Sequence, residues 1–305
     1  MDNFLFLPRA LAAALSDIAF AASFGLVIAS LWLQSDSEEQ LYGRLRCGLE
    51  LSASAMLLAL FAQTYLLTAT MVGSSGIAAV CGQFVAVMTG THAGRVLLCN
   101  CCVTLALLVL LIVRRGWRTR AKTWTLLGVL VILAATRAAT GHAAADGDFR
   151  LPEFVQFFHL ISIATWAGGV IAAGFFVVPA LLRDEQSEAN AETITAFLLK
   201  LSSAVTVALL VVVLSGIYNS YRGLDGSVAP LLHTQWGGLL DIKSFLVCVA
   251  VAMGAINRRI LRKGRELSWT QISRLAMILR VEGVVMMLIL LVSALLANSP
   301  PPDSL

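Results

Sequence analysis

The sequence predicts an all-α, polytopic membrane helix bundle with about eight transmembrane helices. Apolar residues make up 58% of the 305 residues and charged residues only 13%, where a soluble domain carries roughly 45–50% and about 25%. The mean hydropathy is +0.84. The apolar residues also fall into runs of about the 20 residues that a hydrocarbon core roughly 30 Å thick requires. So little charge excludes a soluble enzyme, a disordered regulator and a nucleic-acid-binding domain.

The eight runs lie at about 10–33, 48–72, 92–113, 123–141, 154–182, 196–217, 239–256 and 281–297. The first follows Arg9 and is long enough to span, so no cleavable signal peptide is expected. The stretch 76–90 is apolar but short and glycine-punctuated, and reads as a re-entrant or interfacial piece before the third span. The basic stretch 257–280 reads as an amphipathic interfacial helix. Ser299 and Pro300 to Pro302 stop the last helix, because proline lacks the N–H that a helix needs. No segment between the spans is long enough for an extramembrane domain, so residues 1–305 are expected to form a single transmembrane domain.

Eight spans place both termini on one side. Of the 22 Lys and Arg residues, 16 then fall on the other side, around Arg44 and Arg46, Arg114 to Lys122, Arg183 and Lys200, and Arg258 to Arg280. Such loops are cytoplasmic by the positive-inside rule. Both termini are therefore expected to be periplasmic, in a bacterial inner membrane. The net charge of +4 is a topology signal and does not imply an acidic partner.

All four histidines, His92, His142, His159 and His233, fall towards the periplasmic side. Imidazole is the commonest transition-metal ligand. A short loop after His142 folds the fourth and fifth spans into neighbours, which can bring His142 and His159 together. Met88 and His92 are four apart and share a face if the third helix starts early; thioether and imidazole suit copper(I). Cys99, Cys101 and Cys102 in the third span read as small apolar residues, with Cys99 and Cys102 on one face.

Ionisable groups inside spans are costly and mark candidate functional positions. They include Asp17, Arg95, Arg137, Lys243 and Glu282. An Asp17–Arg95 or Asp17–Arg137 pair would satisfy both charges, and Glu282 could pair with the basic loop. His159 and Trp166, seven apart, lie on one helix face, and Gly168, Gly169 and Gly174 are packing devices that let helices approach closely.

Three stretches resemble the copper resistance protein D family (CopD/PcoD) of bacterial inner-membrane proteins. They are Thr140-Gly141-His142-Ala143, then FHLISIATWAGG at 158–169, then a C-terminal series. That series runs through Ser215-Gly216, Trp236-Gly237, Asp241-Ile242-Lys243, Ala255-Ile256-Asn257-Arg258, Glu282 and the terminal prolines. The resemblance covers about 135–302 by motif, and the N-terminal helices, about 10–141, by helix count. It implies a non-enzymatic protein that takes copper up from the periplasm, with His142 and His159 as ligands and a periplasmic CopC-type copper-binding protein as partner. His92 and Met88 are added on chemistry alone. No P-loop or phosphorylation motif is present, so movement would be passive or driven by the membrane potential. Two alternatives stay open: a redox protein with one b-type haem between two histidines, and a non-transporting accessory protein that docks a periplasmic copper carrier or oxidase.

Overall fold

A computed structural model describes residues 3–33, 39–113, 119–139, 151–183, 188–223, 234–263 and 267–299. In lipid every backbone N–H and C=O must find its partner within the segment, and the described residues are accordingly helical, with no strand among them. The helices are α1 (Asn3–Trp32), α2 (Glu39–Val72), α3 (Ile77–Gly90), α4 (His92–Val113), α5 (Arg120–Ala138), α6 (Leu151–Ala172), α7 (Val178–Arg183), α8 (Glu188–Gly223), α9 (Gln235–Lys263) and α10 (Trp269–Asn298). Eight spans are long and apolar enough to cross a membrane, with α6 and α7 forming one of them, and α3 is a separate short apolar helix.

Several helices run well past their apolar cores. The apolar run marks only the part that fits hydrocarbon, whereas backbone hydrogen bonding continues until a cap ends it. Thr91, Thr234 and Ser268 supply three such caps. Thr91 Oγ1 accepts from the Gly94 N–H at 3.0 Å, and Thr234 Oγ1 from the Gly237 N–H at 3.0 Å. Ser268 and Gln271 form a reciprocal capping box. This corrects one expectation: the stretch 257–280 is not one interfacial helix. Its described residues belong to the end of α9 and the start of α10.

A π-helical turn, Ala173–Val177, joins α6 to α7. Pro179 has no N–H to offer the carbonyl four residues back, and its ring would crowd that carbonyl. A wider turn relieves the clash, and such turns recur at functional positions.

α1 and α6 form the centre. α1 packs on α2, α5, α6 and α10, while α6 also packs on α5, α8 and α10. In the apolar window of the span containing α6, 72% of residues are buried, against 6% for α9. The α1–α6 contact is made backbone to backbone. A Cβ built on Gly25 would sit 1.9 Å from the Gly168 carbonyl oxygen, and one on Gly168 would sit 1.9 Å from the Ala21 carbonyl oxygen. A Cβ on Gly174 would sit 2.8 Å from the Leu279 carbonyl oxygen of α10. The packing role expected for Gly168 and Gly174 is thus seen directly.

These contacts set the cost of a single methyl. Gly168→Ala or Gly25→Ala forces the central helices apart and should destabilise the protein by about 3 kcal/mol, the upper range for overpacking. Gly128→Ala, with nothing within 4 Å of the new methyl, should be neutral. Thermal unfolding of the three variants in detergent checks this.

Candidate functional site

The alternating helices put the basic stretches at one end of the bundle. α4 and α6 begin at the opposite end, which carries His92 and is called the histidine end below. Polar side chains gather in two layers, one towards each end.

The layer nearer the histidine end joins five helices. Arg137, the penultimate residue of α5, forms an ion pair through Nη2 with Asp17 of α1. Its Nη1 donates to Ser16 Oγ at 2.9 Å, and the guanidinium lies 5.1 Å from the centre of the Phe20 ring. Asp17 therefore pairs with Arg137 and not with Arg95. α5 packs on α1, whereas α4 packs on α2, α3 and α5 and leaves Arg95 exposed. Lys243 of α9 lies within electrostatic range of both Asp17 and His159.

His159 of α6 is half-buried, with its Nδ1 2.8 Å from Ser215 Oγ of α8. The Ser215 hydroxyl has one proton and places it on the Val211 carbonyl at 2.5 Å. Ser215 must then accept from His159, which assigns the proton to Nδ1 and leaves the Nε2 lone pair free. This is the tautomer and fixed ring orientation that a metal-ligating histidine uses. One turn outward, Asn219 Nδ2 donates to Gln156 Oε1 at 3.0 Å and makes a second rung between α6 and α8. The sequence carried a signal for this pair of rungs: Gln156 and His159, and Ser215 and Asn219, are polar residues at helical spacing on otherwise apolar faces.

His92 at the start of α4 is exposed, and its Nε2 donates to the Ala139 carbonyl at 3.0 Å. That bond ties α4 to the end of α5, three residues before His142 in the chain. His142 and His233 lie outside the described residues. Met88 and His92 do not share a helix face. The chain breaks at Thr91 (φ −107°, ψ 150°), α3 folds back so that Gly94 packs on Met88, and Met88 is buried. Among the described residues no three His, Cys, Asp or Glu side chains converge as a metal-binding group. Cys101 is buried, while Cys99 and Cys102 face outward.

The second layer lies nearer the basic end. Trp166 is 1% exposed and lines a cavity of about 200 Å³ between α6, α8, α9 and α10. Glu282 faces this cavity and is 2% exposed. Its Oε2 accepts from Asn257 Nδ2 at 2.9 Å, so it is held by an amide of α9 and not, as expected, by a basic residue. Asn257 stands out in the sequence only as part of the run Ala255-Ile256-Asn257-Arg258, not as a partner for Glu282.

The Asp17–Arg137 pair joins opposite charges across the contact of α1 with α5. Asp17→Ala or Arg137→Ala leaves a lone charge between helices and should cost about 3 kcal/mol. The double variant Asp17→Asn/Arg137→Met should recover part of this loss, as judged by thermal unfolding of the purified proteins.

Residues 5–151 match the family described as "Copper resistance protein D-like, N-terminal domain", and residues 195–296 match "Copper resistance protein D". The N-terminal helices, which resemble the family only by helix count, thus carry a recognisable pattern of their own. A curated relative, "Copper transport protein CutJ" of Bacillus subtilis (strain 168), is 29% identical over 288 residues. The alignment takes in 93% of this chain and 51% of the relative, so the chain spans about half that protein's length. No solved structure matches. With both family regions present in order on eight apolar spans, this multi-pass membrane protein belongs to the copper resistance protein D family.

Proposed function

We propose that this protein accepts copper at the histidine end and passes it through the bundle to the basic end. On this reading the basic end is cytoplasmic and the bilayer is the bacterial inner membrane. The observation that carries the proposal is His159, whose Nδ1 is engaged by Ser215 while Nε2 keeps its lone pair. Below it on the same face stands Trp166, at the cavity that continues towards the basic end. The relative's name, a copper transport protein, supports copper as cargo.

The proposed ligand set is centred on His142 and His159. His92 belongs beside it, because its bond to Ala139 holds it near the segment that leads to His142. Met88 contributes only from across the Thr91 break, so its removal should cost less than that of either histidine. An inward-moving cation gains about 2.3 kcal/mol per charge for each 100 mV, so the membrane potential can drive movement without a nucleotide. A periplasmic CopC-type protein is the proposed donor, and the protein itself performs no covalent chemistry.

Copper titration of the purified protein tests the site. His142→Ala and His159→Ala should each weaken binding at least tenfold while the protein still folds. Unchanged affinity in both variants would discard the site. Ser215→Ala frees the ring of His159 and should weaken binding about tenfold, the lower end for loss of a ligand-orienting hydrogen bond.

A further inference from the structure

Among the described residues Glu282 has no counter-charge. Among the described residues the ion pairs are Arg46–Glu50 and Arg137–Asp17. The charged group nearest in the cavity wall, Arg258 of α9, turns its Nη1 to Thr206 Oγ1 of α8. Arg280, on the same helix as Glu282, is exposed and directs Nε to the Gly174 carbonyl at 3.4 Å. The other polar neighbours in the wall are neutral: Ser202 and Thr206 from α8, Trp166 from α6 and Asn257 from α9. A carboxylate buried with one amide donor as its partner is costly, because its remaining lone pairs lose water and gain nothing.

Asn257 shows the matching defect. It is 7% exposed, and its Nδ2 is used by Glu282. Its Oδ1 is fully buried without a hydrogen-bond partner. Glu282 thus has an oxygen, Oε1, with nothing to accept, and Asn257 has an acceptor with nothing to receive. Oε1 faces Gly254, one turn before Asn257 on α9. One proton on the carboxyl removes both defects, because a protonated carboxyl is a donor as well as an acceptor.

We propose that Glu282 and Asn257 form a proton-binding site. The carboxyl is carried protonated in a reciprocal acid–amide pair: Asn257 Nδ2–H donates to Oε2, and Oε1–H donates to Asn257 Oδ1. The proton exchanges with the cavity, whose wall reaches Arg258 and Leu261 towards the basic end. Deprotonation leaves an unpaired carboxylate at the α9–α10 contact. The site stands without reference to copper. An exchange of this proton against an entering copper ion is its consequence for transport, and that step rests on the copper-path reading.

Infrared spectroscopy of the full-length protein in lipid tests the site. The carbonyl stretch of a protonated carboxylic acid should be present at neutral pH, should shift in D2O and should be missing from Glu282→Gln. Gln is the protonated carboxyl's isostere and can make both bonds to Asn257, so this variant should fold and melt as the wild type does. Asn257→Leu should shift the band without abolishing it. The absence of a Glu282-dependent band at neutral pH would overturn the proposal. So would stabilisation of the wild type, but not of Glu282→Gln, by sodium or potassium, which would make the site an alkali-cation site. In vesicles carrying an internal pH dye, copper entry should change the pH in the wild type and leave it unchanged in Glu282→Gln. Unchanged copper binding in both histidine variants with the band intact would count against the copper path alone.

Discussion

The backbone contact of Gly25 on Gly168 sets the relative depth of the polar groups carried by α1 and α6. Side chains of any size would hold α1 and α6 several ångströms further apart, and van der Waals packing is the main force that joins helices in lipid. α1 and α6 both run from the histidine end towards the basic end, so one crossing fixes their relative depth. Asp17 lies eight residues before Gly25, and His159 lies nine residues before Gly168. At 1.5 Å per residue those distances are about 12 and 14 Å. The crossing therefore brings the Asp17–Arg137 pair and His159 to one level, and it sets Trp166 at the crossing itself.

The two polar layers consequently stand on either side of a closely packed stretch of α6. Trp166, Ala167, Gly168, Gly169 and Val170 are all buried there. On the copper-path reading, a cation leaving the His159 layer would meet the Trp166 side chain before it reached the cavity that holds Glu282. Polar groups would lower the barrier in this zone, yet the chain places glycine and tryptophan in it. Its charges are kept above and below. Such an arrangement separates the two layers until helices move, which suits a protein that binds on one side and releases on the other.

The sequence made the spans legible because lipid imposes a coarse rule that a run of apolar residues satisfies by itself. It also exposed the glycines of α6 as packing devices. It could not say that Gly168 meets Gly25, because a single glycine in the apolar α1 reads like any other. The same limit applies to partners of charge. Arg95 and Arg137 were equal candidates for Asp17 until the packing of α5 on α1 decided between them. Glu282 lay near a stretch rich in arginine, and proximity in sequence suggested an ion pair. The actual partner is Asn257, a neutral residue on the neighbouring helix. Met88 and His92 fit a helix spacing, but Thr91 takes an extended conformation and caps a new helix. A four-residue spacing means a shared face only if no cap intervenes.

α9 is the element on which the two layers converge. It is the least buried span, and it packs mainly on α10 and more lightly on α8. Two polar contacts hold its basic end: Asn257 to Glu282 of α10, and Arg258 to Thr206 of α8. Its other half carries Lys243, within electrostatic range of Asp17 and His159. A cation bound at His159 would repel the Lys243 ammonium, and a deprotonated Glu282 would strip Asn257 of its reciprocal bond. Both events act on one loosely packed helix, at opposite ends. By contrast α1, α6 and α10 meet at glycines with no room for an added Cβ. The physical asymmetry assigns rigidity to the centre and response to α9. On the proton-site reading, the charge state at Glu282 is what sets how firmly that helix docks.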